Sequence, residues 1–203
     1  MGLVVQNSET QLFCRTVLDD VKFGSLRMGM SEPDATEAAK ESLALMGIDE
    51  EYFDVNPQDI SGGQKRRVAI AGILAMKPSV LVLDEPAAGL NYSSKNKLFS
   101  VINAVRRERG VSVVLVSHEM EDVAKHADRV MVLSDGRIEM TGTPKEVFSQ
   151  VERVRRLGAD VPEITSIMHE LRDGGMALSG LEIDIEAAAD AIAAACGGEV
   201  SVR

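Results

Sequence analysis

A chain of 203 residues is long enough for one domain, or one domain with a small addition, and its 45% hydrophobic content is enough to build a buried core. The formal net charge of -10 argues against a nucleic-acid-binding surface, which needs clustered Lys and Arg. Cys14 and Cys196 form no CxxC pair and the three histidines lack metal-ligand spacing, so neither a disulfide framework nor a zinc site is expected. The longest apolar stretch, Val68 to Met76, is too short to span a bilayer, and Met1 to Gln6 lacks the basic start of a secretory signal.

In chain order, the apolar run Leu3-Val4-Val5 ends at Gln6. From Gln6 to Phe23, polar residues alternate with Leu12, Phe13, Val17, Leu18, Val21 and Phe23, a surface suited to receiving a short amphipathic helix. A helix is predicted over Ser31 to Met46, opened by Ser31 and Asp34 as a capping pair and stopped at Gly47. Its inward face is Ala35, Ala38, Ala39, Ser42 and Met46. A second helix runs from Ser61 to Met76 and is closed by Lys77-Pro78.

Three aliphatic runs follow: Val80 to Leu83, Val111 to Val116 and Val130 to Leu133. Unbroken apolar runs predict strands buried on both faces, as in a parallel sheet. Ser93 to Arg109 lies between the first two at helical spacing, which makes a β-α-β unit. Ser134-Asp135-Gly136-Arg137 is a tight turn between two strands. From about Val161 the tail is expected to be a separate helical appendage, with helices over Pro162 to Arg172 and Ile185 to Cys196.

Four patterns carry chemistry. Val80-Leu81-Val82-Leu83-Asp84-Glu85-Pro86 is a buried strand ending in two carboxylates. The first suits Mg²⁺ held through water, and the second suits orienting or deprotonating an attacking water. Ser61-Gly62-Gly63-Gln64 is a capping box with two glycines, a helix start ready for an anion. Lys65, Arg66 and Arg67 crowd the opening of that helix, where the macrodipole disfavours cations by a few tenths of a kcal/mol each. Ser117-His118-Glu119 puts a polarisable donor at the end of a strand, and Gln6 ends the first apolar run. Each alone also has a purely structural reading.

Taken together, their order and spacing resemble the ABC ATPase family: Gln6 as the Q-loop glutamine, Ser61 to Gln64 as the signature sequence, Asp84 with Glu85 as Walker B, and His118 as the switch histidine. Within it, Gln6 to Phe13, Ser61 to Ala75, Asp135 to Phe148 and Val161 to Arg172 resemble ATPase subunits of energy-coupling factor transporters. The resemblance implies an α/β, P-loop NTPase-like partial core with a mainly parallel sheet, over residues 1–160. It further implies a helical signature subdomain at about 15–77 and a C-terminal helical appendage at 161–203, a candidate dimerisation element.

The implied cofactors are ATP and Mg²⁺. Gln6 and Asp84 are the metal candidates, Glu85 and His118 the catalytic ones. Gln6, Ser61, Gly62, Gly63, Gln64, Asp84 and Asn91 are the nucleotide-contacting ones, with the signature residues facing nucleotide held by a partner subunit. The implied partners are a second ABC ATPase subunit, identical or different, a transmembrane coupling subunit and a substrate-binding membrane subunit, at the cytoplasmic face of the membrane, with no nucleic acid. The function implied is hydrolysis of ATP to power import of a metal ion or vitamin.

Two departures stand out. Ala88-Gly89-Leu90-Asn91 ends in Asn where the D-loop usually has Asp, and no Gly-x-x-x-x-Gly-Lys-Ser/Thr occurs in the chain. The sequence is therefore expected to be a truncated reading frame, inactive alone. A non-catalytic module lending only its signature face is one alternative, and a soluble ABC ATPase outside transport is another.

Overall fold

In the computed structural model the described residues are 1–197, and they divide into two compact units, Met1–Val116 and the residues from Ser117 onward. The first unit is built on a three-stranded parallel sheet: β1 (Gly2–Val4), β2 (Val80–Asp84) and β3 (Ser112–Val116), with β2 in the middle. Val4 pairs with Leu83 and Asp84 with Val116. Both pairings are parallel, so the carboxyl ends of all three strands meet at one edge.

Helix α4 (Tyr92–Arg109) makes the crossover from β2 to β3, one residue longer at its start than the spacing predicts. Asn91 caps it by accepting the Ser94 N–H at 2.9 Å, and Gly110 ends it at φ 63°, in the left-handed region that glycine adopts without strain. Arg106, Arg107 and Arg109 occupy its last turn, where the helix dipole favours cations.

Helices α1 (Val17–Arg27), α2 (Glu32–Leu45) and α3 (Gly62–Ala75) pack on one another. The expected inward face of α2, Ala35, Ala38, Ala39, Ser42 and Met46, is buried throughout and joined by Leu43. Small side chains there let α3 approach closely. Helix α1 begins inside the stretch expected to form an apolar docking surface. Thr16 caps it by accepting the Asp19 N–H at 3.1 Å, and Val17 and Val21 enter the core.

The second unit contains α5 (Met120–His126), the hairpin β4 (Val130–Ser134) and β5 (Arg137–Gly142), α6 (Pro144–Phe148), α7 (Val151–Arg156), α8 (Glu163–Asp173) and α9 (Ile185–Ala195). The tight turn holds: Asp135 and Gly136 both have positive φ, the backbone a two-residue hairpin needs. The stretch after residue 160 is not separate in packing. Val161, Met168, Leu181 and Ala188 share one core with Val130, Met140, Phe148 and Val154, so the chain divides at residue 116 rather than near 160.

The expectation of strands buried on both faces fails for two of the three runs. In β3, Val113 and Leu115 face the core, while Val114 and Val116 are 40% and 48% exposed. In β4, Met131 and Leu133 are exposed. One face of each strand is left uncovered, and among the described residues β3 is also bonded only to β2, while the hairpin stands as a two-stranded sheet of its own. An apolar strand with a free edge is a template for pairing with another chain. Val114→Lys is therefore expected to reduce self-association, read by light scattering against concentration, with little loss of melting temperature. Unchanged association would show that this edge is already protected.

Candidate functional site

The sheet register assembles the first group of residues. Val4 lies opposite Leu83, so Gln6 and Glu85, each two residues further on, leave neighbouring strands at the same edge. Asp84, the last residue of β2, is half-buried, and Gln6 is exposed. The chain then turns sharply. Glu85 has φ 48°, a left-handed conformation that costs a non-glycine residue about 1–2 kcal/mol. It also precedes Pro86, which disfavours compact conformations at the preceding residue.

Three interactions hold this turn. The Glu85 N–H donates to the Val116 carbonyl at 2.9 Å, extending the ladder one residue past the strand, and the Ala88 N–H donates to the Glu85 carbonyl at 3.2 Å. Arg66 of α3, only 7% exposed, donates from Nη1 to the carbonyls of Pro86 at 3.2 Å and Ala88 at 2.5 Å. A buried charge-assisted pair of this kind is strong and costly to break. Backbone strain held in place by its surroundings is a mark of functional sites. The sequence showed Arg66 only as a cation at an unfavourable helix position. Its carbonyl partners lie about twenty residues away, and no local signal reveals them.

The second group is the start of α3. Ser61 Oγ accepts the Gln64 N–H at 3.3 Å while Gln64 Oε1 accepts the Ser61 N–H at 3.0 Å, the reciprocal capping box read from the sequence. Ser61 and Gly62 are exposed. A Cβ placed on Gly62 or Gly63 would meet nothing within 4 Å, and neither residue has positive φ. The fold of this chain therefore does not require glycine at either position, and glycine in a helix costs up to about 1 kcal/mol relative to alanine. Two such glycines make sense where something outside the chain must approach the backbone.

His118 lies in the second unit, exposed, two residues beyond the end of β3, with the Glu119 N–H donating to Ser117 Oγ at 3.1 Å. Asn91 spends its side chain on capping α4, a role in which the charge of Asp is not needed.

The expected apolar surface from Gln6 to Phe23 is mostly core. Leu12, Val17 and Val21 are buried, because the helical period of α1 turns Val17 and Val21 inward. What stays outside is Phe13, 67% exposed, stacked edge-on against Phe23 with centroids 5.0 Å apart, and Arg27 lies over the Phe23 ring. Asp20 fixes this loop by accepting the N–H groups of Phe13 and Cys14 at 3.1 and 2.8 Å. Burial, then the charges of Asp20 and Asp19, push the Cys14 thiol pKa up. Both cysteines are free, and among the described residues no group of three His, Cys, Asp or Glu side chains could hold a metal. No described helix is long and apolar enough to cross a membrane.

A family model described as ABC transporter matches residues 1–88. An energy-coupling factor transporter ATP-binding protein EcfA2 from Caldanaerobacter subterraneus subsp. tengcongensis is 45% identical over 192 residues, covering 95% of this chain and 67% of that protein. Its namesake in Clostridium perfringens is 44% identical, covering 95% and 68%. The chain thus spans about two thirds of the length of these relatives. The solved structure of cbiO1 from Clostridium perfringens, part of the ABC transporter complex cbiONQ, is 34% identical with a TM-score of 0.68, covering 84% of this chain and 66% of that one. The cassette MJ0796, a dimer in a post-hydrolysis state bound to ADP and phosphate, is 29% identical with a TM-score of 0.60, covering 70% and 62%.

If the two glycines serve an approaching group, Gly62→Ala and Gly63→Ala should leave the melting temperature unchanged or slightly raised and impair only activity that depends on a partner. A loss of stability of 2 kcal/mol or more, beyond the scale of helix propensity at about 1 kcal/mol, would give the glycines a role inside the fold.

Proposed function

This chain belongs to the ABC transporter ATPase family, and we propose that it is the ATP-binding and ATP-hydrolysing subunit of an energy-coupling factor type importer for a metal ion or vitamin. The observation that carries the proposal is the convergence of Gln6 and the Asp84-Glu85 pair at one carboxyl edge, with Glu85 held in a left-handed turn. Ligands of open α/β sheets bind at such an edge. The names of the similar proteins, an energy-coupling factor transporter ATP-binding protein and a part of the ABC transporter complex cbiONQ, support the same reading.

Asp84 is a half-buried carboxylate at the end of β2, which suits Mg²⁺, an ion commonly held by one or two carboxylates together with phosphate oxygens and water. The ion would neutralise charge developing on the transferred phosphoryl group. Gln6, exposed beside it, would report on the metal and the terminal phosphate, and Glu85 would orient and deprotonate the attacking water. His118 would hold the terminal phosphate. Ser61, Gly62, Gly63 and Gln64 would face nucleotide carried by a second ATPase subunit, in a composite two-chain site, with Asn91 near that boundary. No Gly-x-x-x-x-Gly-Lys-Ser/Thr occurs among the 203 residues, so the phosphate cradle would come from groups other than these. That fact also favours a second reading, in which the chain lends only its signature face to nucleotide bound elsewhere.

The membrane partners would be a transmembrane coupling subunit and a substrate-binding subunit, with this chain peripheral on the cytoplasmic face. Phe13, Phe23 and Arg27 offer an aromatic and cationic patch for the coupling subunit.

In the ATPase dimer assembled with its membrane subunits, Glu85→Gln is expected to lower ATP turnover about 10²–10⁴-fold, the usual contribution of a general base. Nucleotide binding should be retained. Turnover near that of the unsubstituted protein would remove Glu85 from the role of base, and retained function without any ATP bound through this chain's edge would favour the second reading. Docking is checked separately through Cys14, one residue from Phe13. Its alkylation is expected to slow on assembly with the transmembrane subunit, and an unchanged rate in a verified complex would move the docking surface elsewhere.

A further inference from the structure

The segment after β2 closes two short turns of its own, the Ala88 N–H donating to the Glu85 carbonyl at 3.2 Å and the Leu90 N–H to the Ala87 carbonyl at 3.1 Å. The carbonyls that alternate with these acceptors, those of Pro86 and Ala88, accept from Arg66 Nη1 at 3.2 and 2.5 Å. A terminal guanidinium nitrogen carries two N–H bonds, so one Nη1 serves both. Pro86 and Ala87 are buried, and Arg66 is only 7% exposed. A buried acceptor that loses such a donor is left without water to replace it.

Glu85 sits between two anchors. Its own N–H donates to the Val116 carbonyl at 2.9 Å, so the sheet holds the chain as it enters the residue. Arg66 holds the chain as it leaves. The φ of 48° lies between them. No local preference favours that value: a non-glycine residue is disfavoured in the left-handed region. The commonest turn closed by one hydrogen bond takes most residues at negative φ. With the sheet bond alone, the outgoing end would be free to swing, and the direction of the Glu85 side chain would swing with it. Arginine is suited to stop this, because its planar fork is pre-organised, whereas a lysine ammonium is a point charge on a flexible stem.

We propose that Arg66 is a positioning residue, which keeps Glu85 in its left-handed turn and thereby aims the Glu85 carboxylate. It acts through the backbone carbonyls of Pro86 and Ala88. The catalytic consequence rests on the reading of Glu85 as the base of ATP hydrolysis, whereas the hold on the turn does not.

The hold is tested in the 203-residue chain by comparing the melting temperatures of Glu85→Gly and Glu85→Ala. Both lose the carboxylate, and they differ in tolerance of positive φ. With Arg66 present, Glu85→Gly is expected to melt higher. In an Arg66→Met background the turn can relax, and the margin should shrink or reverse, because glycine then adds only freedom to the unfolded chain. The proposal is overturned if the margin is the same in both backgrounds, which would place the constraint on the bond to Val116. It is also overturned if Glu85→Gly shows no advantage with Arg66 present. Should Arg66→Met fail to fold, Arg66→Lys decides by amide exchange. The Ala88 N–H should then exchange about tenfold faster or more, from the loss of a charge-assisted hydrogen bond, with the β2 amides unchanged. Unchanged exchange at Ala88 overturns the proposal.

Catalysis is read in the ATPase dimer assembled with its membrane subunits. Arg66→Lys should lower kcat and leave KM for ATP nearly unchanged, and adding it to Glu85→Gln should cost nothing further. A second loss of the same factor in the double variant would show that Arg66 does not act through Glu85. If Glu85→Gln alone leaves turnover intact, the reading of Glu85 as base fails instead, and the melting comparison still decides whether Arg66 holds the turn.

Discussion

Five parallel pairs, Val80 with Ser112 through Asp84 with Val116, and one more hydrogen bond from the Glu85 N–H to the Val116 carbonyl, fix the turn that carries Asp84 and Glu85. Parallel strands put their carboxyl ends on one side, and a hydrogen-bonded register does not slide without moving every side chain to the opposite face. The position of the Asp84-Glu85 pair beside Gln6 follows in the same way from the parallel pairing of β1 with β2, Val4 opposite Leu83. It needs no direct contact between the side chains.

Arg66 links this sheet edge to the helical part of the unit. Its guanidinium is buried and grips two carbonyls of the turn that Glu85 begins, so the start of α3 and the end of β2 are tied by charge-assisted hydrogen bonds. A shift in either element would leave a buried charge unsatisfied, which gives the junction two-way stiffness. The same helix start also carries the Ser61–Gln64 capping box, which faces outward with its glycines open to approach. One short helical segment thus joins a rigid internal anchor to an external contact surface.

The second unit is organised differently. Its hairpin shares one core with α6, α7 and α8 through Val130, Met140, Phe148, Val154 and Met168, while Met131, Leu133 and Ile138 stay exposed. Lys145 bonded to Glu182 at 2.6 Å and the Thr165 hydroxyl donating to the Glu182 carbonyl tie the later helices to the earlier ones. Those links make the tail part of a common core.

The elements with their own local signals were legible in the sequence. The Ser61–Gln64 box, the Asp135-Gly136 turn, the Ala-rich face of α2 and the strand that ends in Asp84 each depend on residues a few positions apart, so period and capping reveal them. Helices α1 and α6 carried comparable signals, Thr16 before Asp19 and a Thr143–Glu146 capping box ahead of Pro144, which the longer patterns around them obscured. Other features depend on residues far apart in sequence and were settled by the tertiary structure: the left-handed Glu85, the Arg66 grip on Pro86 and Ala88, the burial of Val17 and Val21, and the exposure of Val114 and Val116. An apolar strand reads the same in sequence whether or not a neighbour covers it, and a cation reads the same whether its partner is solvent or a carbonyl twenty residues away. Pairing and burial are properties of the assembled chain, and the local pattern does not contain them.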